Sequence, residues 1–118
     1  GTLFNLEPTV DSGAILAQRS FAVDARETLP GLIAKHMQAL AGMWADLLPR
    51  LAHGPVSGMV QDEARATYCA KRVAADGRID WCDDAVSIDR LIRAVTAPYP
   101  GAFTILDSRK LIVWEAEV

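Results

Sequence analysis

Leu29, Leu32, Ile33, His36, Met37, Leu40, Trp44, Leu47, Leu48 and Leu51 recur at three- and four-residue steps. That spacing predicts one long helix with an apolar stripe facing a core. Thr28 is placed to cap it, and Pro30 sits in its first turn, where a missing N–H costs little. Pro49 should kink or end the helix, with His53-Gly54-Pro55 as the stop. Upstream the period changes. Thr2-Leu3-Phe4-Asn5-Leu6 reads as a short strand, and Ile15 to Val23 alternates as a second. Between them, Glu7-Pro8-Thr9-Val10 and Asp11-Ser12-Gly13 carry the Pro and Gly of a turn.

Residues 55 to 80 have little periodicity and read as an extended connector ending in the turn dipeptide Asp76-Gly77. Either Asp83 or Asp84 caps a second helix, with Val86, Ile88, Leu91, Ile92 and Val95 on its apolar side. Pro98-Tyr99-Pro100-Gly101 is a stiff corner after that helix. Ala102 to Leu106 and Lys110 to Ala116 then form a hairpin around Asp107-Ser108-Arg109. No repeat or low-complexity segment interrupts the order.

At 118 residues the chain suffices for one ordinary domain and not for two. Half the residues are hydrophobic and about a quarter charged, a globular composition. The net charge of -3 argues against nucleic acid, which requires clustered Lys and Arg. No apolar run approaches the roughly 20 residues of a membrane span. The start at Gly1-Thr2-Leu3-Phe4 does not read as a signal peptide. Cys69 and Cys82 lack the spacing of a zinc site or an obvious disulfide, and fit a reducing cytoplasm.

Taken alone, few residues point to chemistry. An Asp before a Gly in a strand-connecting turn is usually there for its turn propensity, so Asp11 is unremarkable by itself. His36 lies on the helix stripe and reads as a core or boundary residue, while His53 beside Gly54 reads as a helix-end residue. Trp44, Trp81 and Trp114 read as core anchors. The Lys71-Arg72 pair reads as solvated. The chain has no phosphate-binding Gly-rich loop and no nucleophile elbow.

Five segments in order nevertheless resemble the folate-dependent formyltransferases. Gly1 to Gln18, ending Val10-Asp11-Ser12-Gly13-Ala14-Ile15-Leu16-Ala17-Gln18, resembles their strand and Asp-x-Gly loop, and Leu48-Pro49-Arg50-Leu51-Ala52-His53-Gly54 their helix end. Gly77-Arg78-Ile79-Asp80-Trp81 resembles the start of their C-terminal subdomain. Arg93 to Phe103 and Lys110-Leu111-Ile112-Val113-Trp114 complete the series.

The resemblance implies an α/β fold: the C-terminal part of a Rossmann-like formyltransferase domain at 1–60, a linker at 61–75, and the start of an OB-like β subdomain at 76–118. It further implies 10-formyltetrahydrofolate as formyl donor, with no metal. Asp11 matches the Asp of the family's Asn, His and Asp catalytic trio. The Asn and His belong upstream and have no match here, so the chain reads as the middle portion of an enzyme, inactive alone. Glu7, Pro8, Thr9, Val10 and Asp11 match the segment lining the folate pocket.

Within the family, three residues separate Arg93-Ala94 from Pro98, as in the polymyxin-resistance branch that formylates UDP-4-amino-4-deoxy-L-arabinose in lipid A modification. Methionyl-tRNA formyltransferases typically have two. Residues 76–118 hold eight acidic and five basic side chains, which also disfavours a tRNA substrate. The expected partner is therefore a small amine, a UDP-amino-sugar, with no nucleic acid and no membrane insertion, in the cytoplasm; an oligomer is allowed. Arg93 is a candidate for a substrate phosphate, but its place at a helix end favours capping carbonyls or pairing with a neighbouring acid. Tyr99 is a candidate for the substrate's base or sugar, against packing at the corner. The alternatives are methionyl-tRNA formyltransferase and a non-catalytic folate-binding or interaction protein of the same fold.

Overall fold

Two antiparallel hairpins and two helices carry out most of that pattern. In the computed structural model, which describes residues 1–118, the elements are β1 (Thr2–Phe4), β2 (Ile15–Gln18), α1 (Leu29–Leu51), α2 (Ala85–Val95), β3 (Ala102–Leu106) and β4 (Arg109–Val113). Two short 3-10 turns, Glu63–Arg65 and Ala74–Gly77, punctuate the stretch expected to be an extended connector. The chain divides into two units: Gly1–Ala22 with Ala34–Cys69, and Val23–Ile33 with Ala70–Val118.

In the first unit β1 and β2 are antiparallel, with Thr2 opposite Gln18 and Leu3 opposite Ala17, and an irregularity between Leu3 and Phe4. The expected second strand stops at Gln18 instead of Val23. Beyond it Arg19 still exchanges main-chain hydrogen bonds with Gly1, and α1 side chains hold the rest. Arg19 pairs with Asp46 at 3.1 Å, Phe21 meets His36 edge-on, and Lys35 Nζ donates to the Ala22 carbonyl at 3.1 Å. Ile15 makes a further pairing with Met59, each N–H donating to the other's carbonyl at 2.8 Å. That pairing draws the start of the connector onto β2.

Ala39, Met43 and Leu47 form the buried line of α1. The line lies about 65° from the centre of the expected stripe, at roughly 100° per residue. Trp44, expected as a core anchor, is 42% exposed, and Met37 and Leu48 are exposed too. The helix is apolar over a wider arc than this unit's two short strands cover. Nor does Pro49 end α1, which runs on to Leu51. So near the C-terminus, a missing N–H removes one hydrogen bond from a turn that is already finishing. His53 Nδ1 donates to the Pro49 carbonyl at 2.7 Å, the helix-end role read from the sequence.

The second unit is built on Ile79, Ile92 and Ala102, with Ile88, Leu91, Val95, Val113 and Ala116 packed around them. Asp84, not Asp83, caps α2: its Oδ1 accepts from Ser87 N at 2.9 Å and its Oδ2 from Ser87 Oγ at 2.7 Å. Val86 is exposed, although the stripe placed it inside. Asp107 and Ser108 both have positive φ and make a two-residue turn, so β4 begins at Arg109 and not at Lys110. Such a turn matches the twist of the strands it joins. Trp81 and Trp114 are 62% and 49% exposed, so neither is a core anchor. Trp81 instead donates from Nε1 to Thr104 Oγ1 at 2.9 Å.

Gly101 (φ +82°) turns the chain from the Pro98–Pro100 corner into β3. A Cβ there would come within 2.6 Å of Ile112 Cγ2 and 2.9 Å of the Trp114 ring. Only glycine satisfies both the conformation and the space.

Candidate active site

The loop between β1 and β2 is closed at its base by Asn5 N–H donating to the Ala14 carbonyl at 3.0 Å. Gly13 sits at the pinch. A Cβ on it would lie 1.7 Å from the Asn5 carbonyl oxygen, so the backbone crosses there only because the side chain is absent. Ser12 Oγ donates to the Thr9 carbonyl at 3.0 Å and tightens the turn. Asp11 has φ +55°, a left-handed conformation that Asp tolerates better than most residues.

Glu7, Pro8, Thr9, Val10 and Asp11 are all exposed on this loop. Asp11, with Val10, Ser12 and Ile15, lines an open groove of about 620 Å³ whose other wall is the 59–68 stretch. Met59, Val60 and Tyr68 give that wall apolar surface, and Asp62, Glu63 and Arg65 give it charge. Asp62 is also occupied locally, its Oδ1 accepting from Ala64 N at 3.1 Å.

Gln61 was not singled out by any sequence signal, and it makes the contact on Asp11's own peptide. Its Nε2 donates to the Asp11 and Gly13 carbonyls, each at 2.7 Å. The two partners lie 50 and 48 residues away in sequence, inside and beside an Asp-x-Gly turn that gives no hint of them.

The remaining candidates lie elsewhere. His36 is against Phe21 and His53 is at the end of α1, and neither lines the Asp11 groove. Arg93 and Tyr99 belong to the second unit. Arg93 Nε donates to Asp89 Oδ2 at 2.9 Å and its Nη1 to the Glu27 carbonyl, and the side chain is 14% exposed. The guanidinium thus serves a neighbouring acid and a carbonyl, the reading of Arg93 weighed against a substrate phosphate. Tyr99 is 56% exposed and borders a separate groove of about 460 Å³ with Arg72, Val73 and Pro100. Cys69 and Cys82 are free and exposed. No helix is long and apolar enough to cross a membrane.

Known proteins share this order of elements. Residues 72–118 match the formyl transferase C-terminal domain. The match covers α2, the Pro98–Gly101 corner and the β3–β4 hairpin, the second half of the series that carries the resemblance. Among solved structures, a multiply substituted variant of HypX from Aquifex aeolicus is similar over 97% of this chain and 20% of that one, at 20% identity and a TM-score of 0.82. Methionyl-tRNA formyltransferase from Clostridium thermocellum is similar over 92% of this chain and 46% of that one, at 20% identity and a TM-score of 0.66. At such identity the likeness is one of fold. The chain spans about a fifth of the length of the first and just under half of the second. The architecture is thus a small α/β one of the kind found in formyltransferases.

Proposed function

We propose that this chain belongs to an enzyme that transfers a formyl group from 10-formyltetrahydrofolate to an amine, and that Asp11 is its catalytic carboxylate. The match of residues 72–118 to the formyl transferase C-terminal domain carries this reading. In it, residues 1–60 are the C-terminal part of a Rossmann-like domain, 61–75 a linker, and 76–118 the start of an OB-like subdomain.

The groove beside Asp11 suits a flat heteroaromatic donor, because Val10, Ile15, Met59 and Val60 offer apolar surface. Glu7, Pro8, Thr9 and Val10 would line the donor's site with Asp11. The bound donor supplies a formyl carbon whose bond to the donor nitrogen breaks as its bond to the acceptor nitrogen forms, with one proton passing from acceptor to donor. Asp11 would hold that proton, or the water or imidazole relaying it, at its carboxylate. An imidazole beside it would be oriented and made more basic. The Asn and His of the family's trio would come from outside this chain, so the 118 residues alone would be inactive.

For the acceptor we propose a UDP-amino-sugar of the 4-amino-4-deoxy-L-arabinose type, in the cytoplasm, with Tyr99 contacting its base or sugar. Support comes from the three-residue spacing between Arg93-Ala94 and Pro98 and from the acidic balance of residues 76–118. The test offers the complete protein labelled 10-formyltetrahydrofolate with either the UDP-amino-sugar or charged initiator tRNA. Label in the sugar alone supports the proposal. Label in tRNA alone assigns the protein to the methionyl-tRNA branch, and label in neither favours a non-catalytic folate-binding or interaction role.

A further inference from the structure

We propose that Gln61 is a positioning residue for Asp11, setting the direction of its carboxylate through the backbone. The proposal rests on the formyl-transfer reading of Asp11. A primary amide nitrogen has two N–H groups, and Gln61 Nε2 directs them at two carbonyls of one tight turn, Asp11 O and Gly13 O, both at 2.7 Å. Two carbonyls that are two residues apart converge on one nitrogen only if the intervening backbone folds back. The left-handed Asp11 (φ +55°) is where it does so.

The other restraints hold different parts of the loop. Asn5 N–H closes its base on Ala14, and Ser12 Oγ binds the Thr9 carbonyl. Gln61 itself is fixed by the Ile15–Met59 pairing two residues earlier, which runs the connector alongside the start of β2. The Ile15–Met59 pairing thus anchors the backbone that carries Gln61, Gln61 orders the Asp11 peptide, and that peptide sets the direction of the carboxylate beside the groove that both residues line. Small misplacements of a catalytic group are costly in rate while leaving substrate binding largely intact.

The test uses the complete enzyme with three variants. Gln61→Met keeps the length and removes both donors; Gln61→Lys restores a nitrogen donor of similar reach; Asp11→Asn reports the chemistry. Gln61→Met is expected to lower kcat by about 10- to 100-fold with KM for donor and acceptor nearly unchanged and an unaltered thermal midpoint. Gln61→Lys should recover most of that loss. A normal kcat in Gln61→Met beside a dead Asp11→Asn overturns the positioning role alone. Normal turnover in both overturns the catalytic reading and this proposal with it. A raised KM at unchanged kcat makes Gln61 a substrate contact and overturns the proposal. Should Gln61→Met fail to fold, Gln61→Ala, which removes both donors without filling the space, decides: a folded protein with a roughly 10-fold or greater loss of kcat supports positioning, and near-normal turnover refutes it.

Discussion

Arg93 Nε donates to Asp89 Oδ2 at 2.9 Å across one turn of α2, with the two side chains 14% and 5% exposed. Arg26 approaches the other carboxylate oxygen, Oδ1, at 3.8 Å. Asp89 is buried beside Ile92, so the pair is a structural joint of the second unit. Arg93 also reaches the Glu27 carbonyl, which ties residues 23–33 to α2.

Removing the guanidinium should therefore be costly. Arg93→Ala leaves a buried carboxylate with only the more distant Arg26, and is expected to destabilise the protein by about 3–5 kcal/mol. Asp89→Asn keeps an acceptor for Arg93 Nε and should cost less, about 1–3 kcal/mol. Urea unfolding midpoints of the two variants check the order.

At Asp11, conformation and chemistry can be separated. Asparagine also tolerates a left-handed φ, so Asp11→Asn should change stability by less than about 0.5 kcal/mol. The same substitution should lower kcat of the complete enzyme by about 10²- to 10⁴-fold. Paired thermal melts and steady-state kinetics measure both. Near-normal turnover would reduce Asp11 to a turn residue.

Glycine positions differ in what they demand. Gly101 combines φ +82° with contacts that a Cβ would violate, whereas Gly54 has φ +137° and open space around it. Gly54→Ala should cost about 1–2 kcal/mol for backbone conformation alone. Gly101→Ala should add about 1–3 kcal/mol of overpacking against Ile112 and Trp114. Gly13→Ala, with backbone and not a flexible side chain in its way, should fall at the upper end of that overpacking range. Chemical denaturation of the three variants gives the ranking.

The α2 cap predicts a pH dependence. The Ser87 hydroxyl, and then the Ser87 N–H, hold the Asp84 carboxyl below its ordinary value of 3.8. A carboxylate whose pKa is lowered by folding stabilises the fold above its unfolded pKa, and that contribution is lost as pH falls through the lowered one. Asp84→Ala should melt below the wild type at neutral pH, with the gap closing in acid beneath the ordinary Asp range. Melting curves of both proteins from neutral to acidic pH test this.

The parts legible in the sequence were those that depend on neighbours in the chain. The helix over Leu29–Leu51, the Asp-led start of α2 and the Asp-x-Gly turn come from local periodicity and side-chain hydrogen bonds. The resemblance to formyltransferases was legible for the same reason, since it rests on short motifs in order. The three tryptophans were misread because an aromatic at a helical or strand position says that it can pack, and not which surface reaches it.

By itself, then, the sequence determined the order and type of elements and placed Asp11 in a turn between two strands. Tertiary structure alone decided which arc of α1 is buried, because that depends on the width of the surface meeting it. It also decided that Arg93 serves Asp89 and Glu27, and that Gln61 grips Asp11 and Gly13 from some fifty residues away. A turn's propensity is local, but the hydrogen bonds that brace its backbone come from whichever distant segment the fold brings alongside.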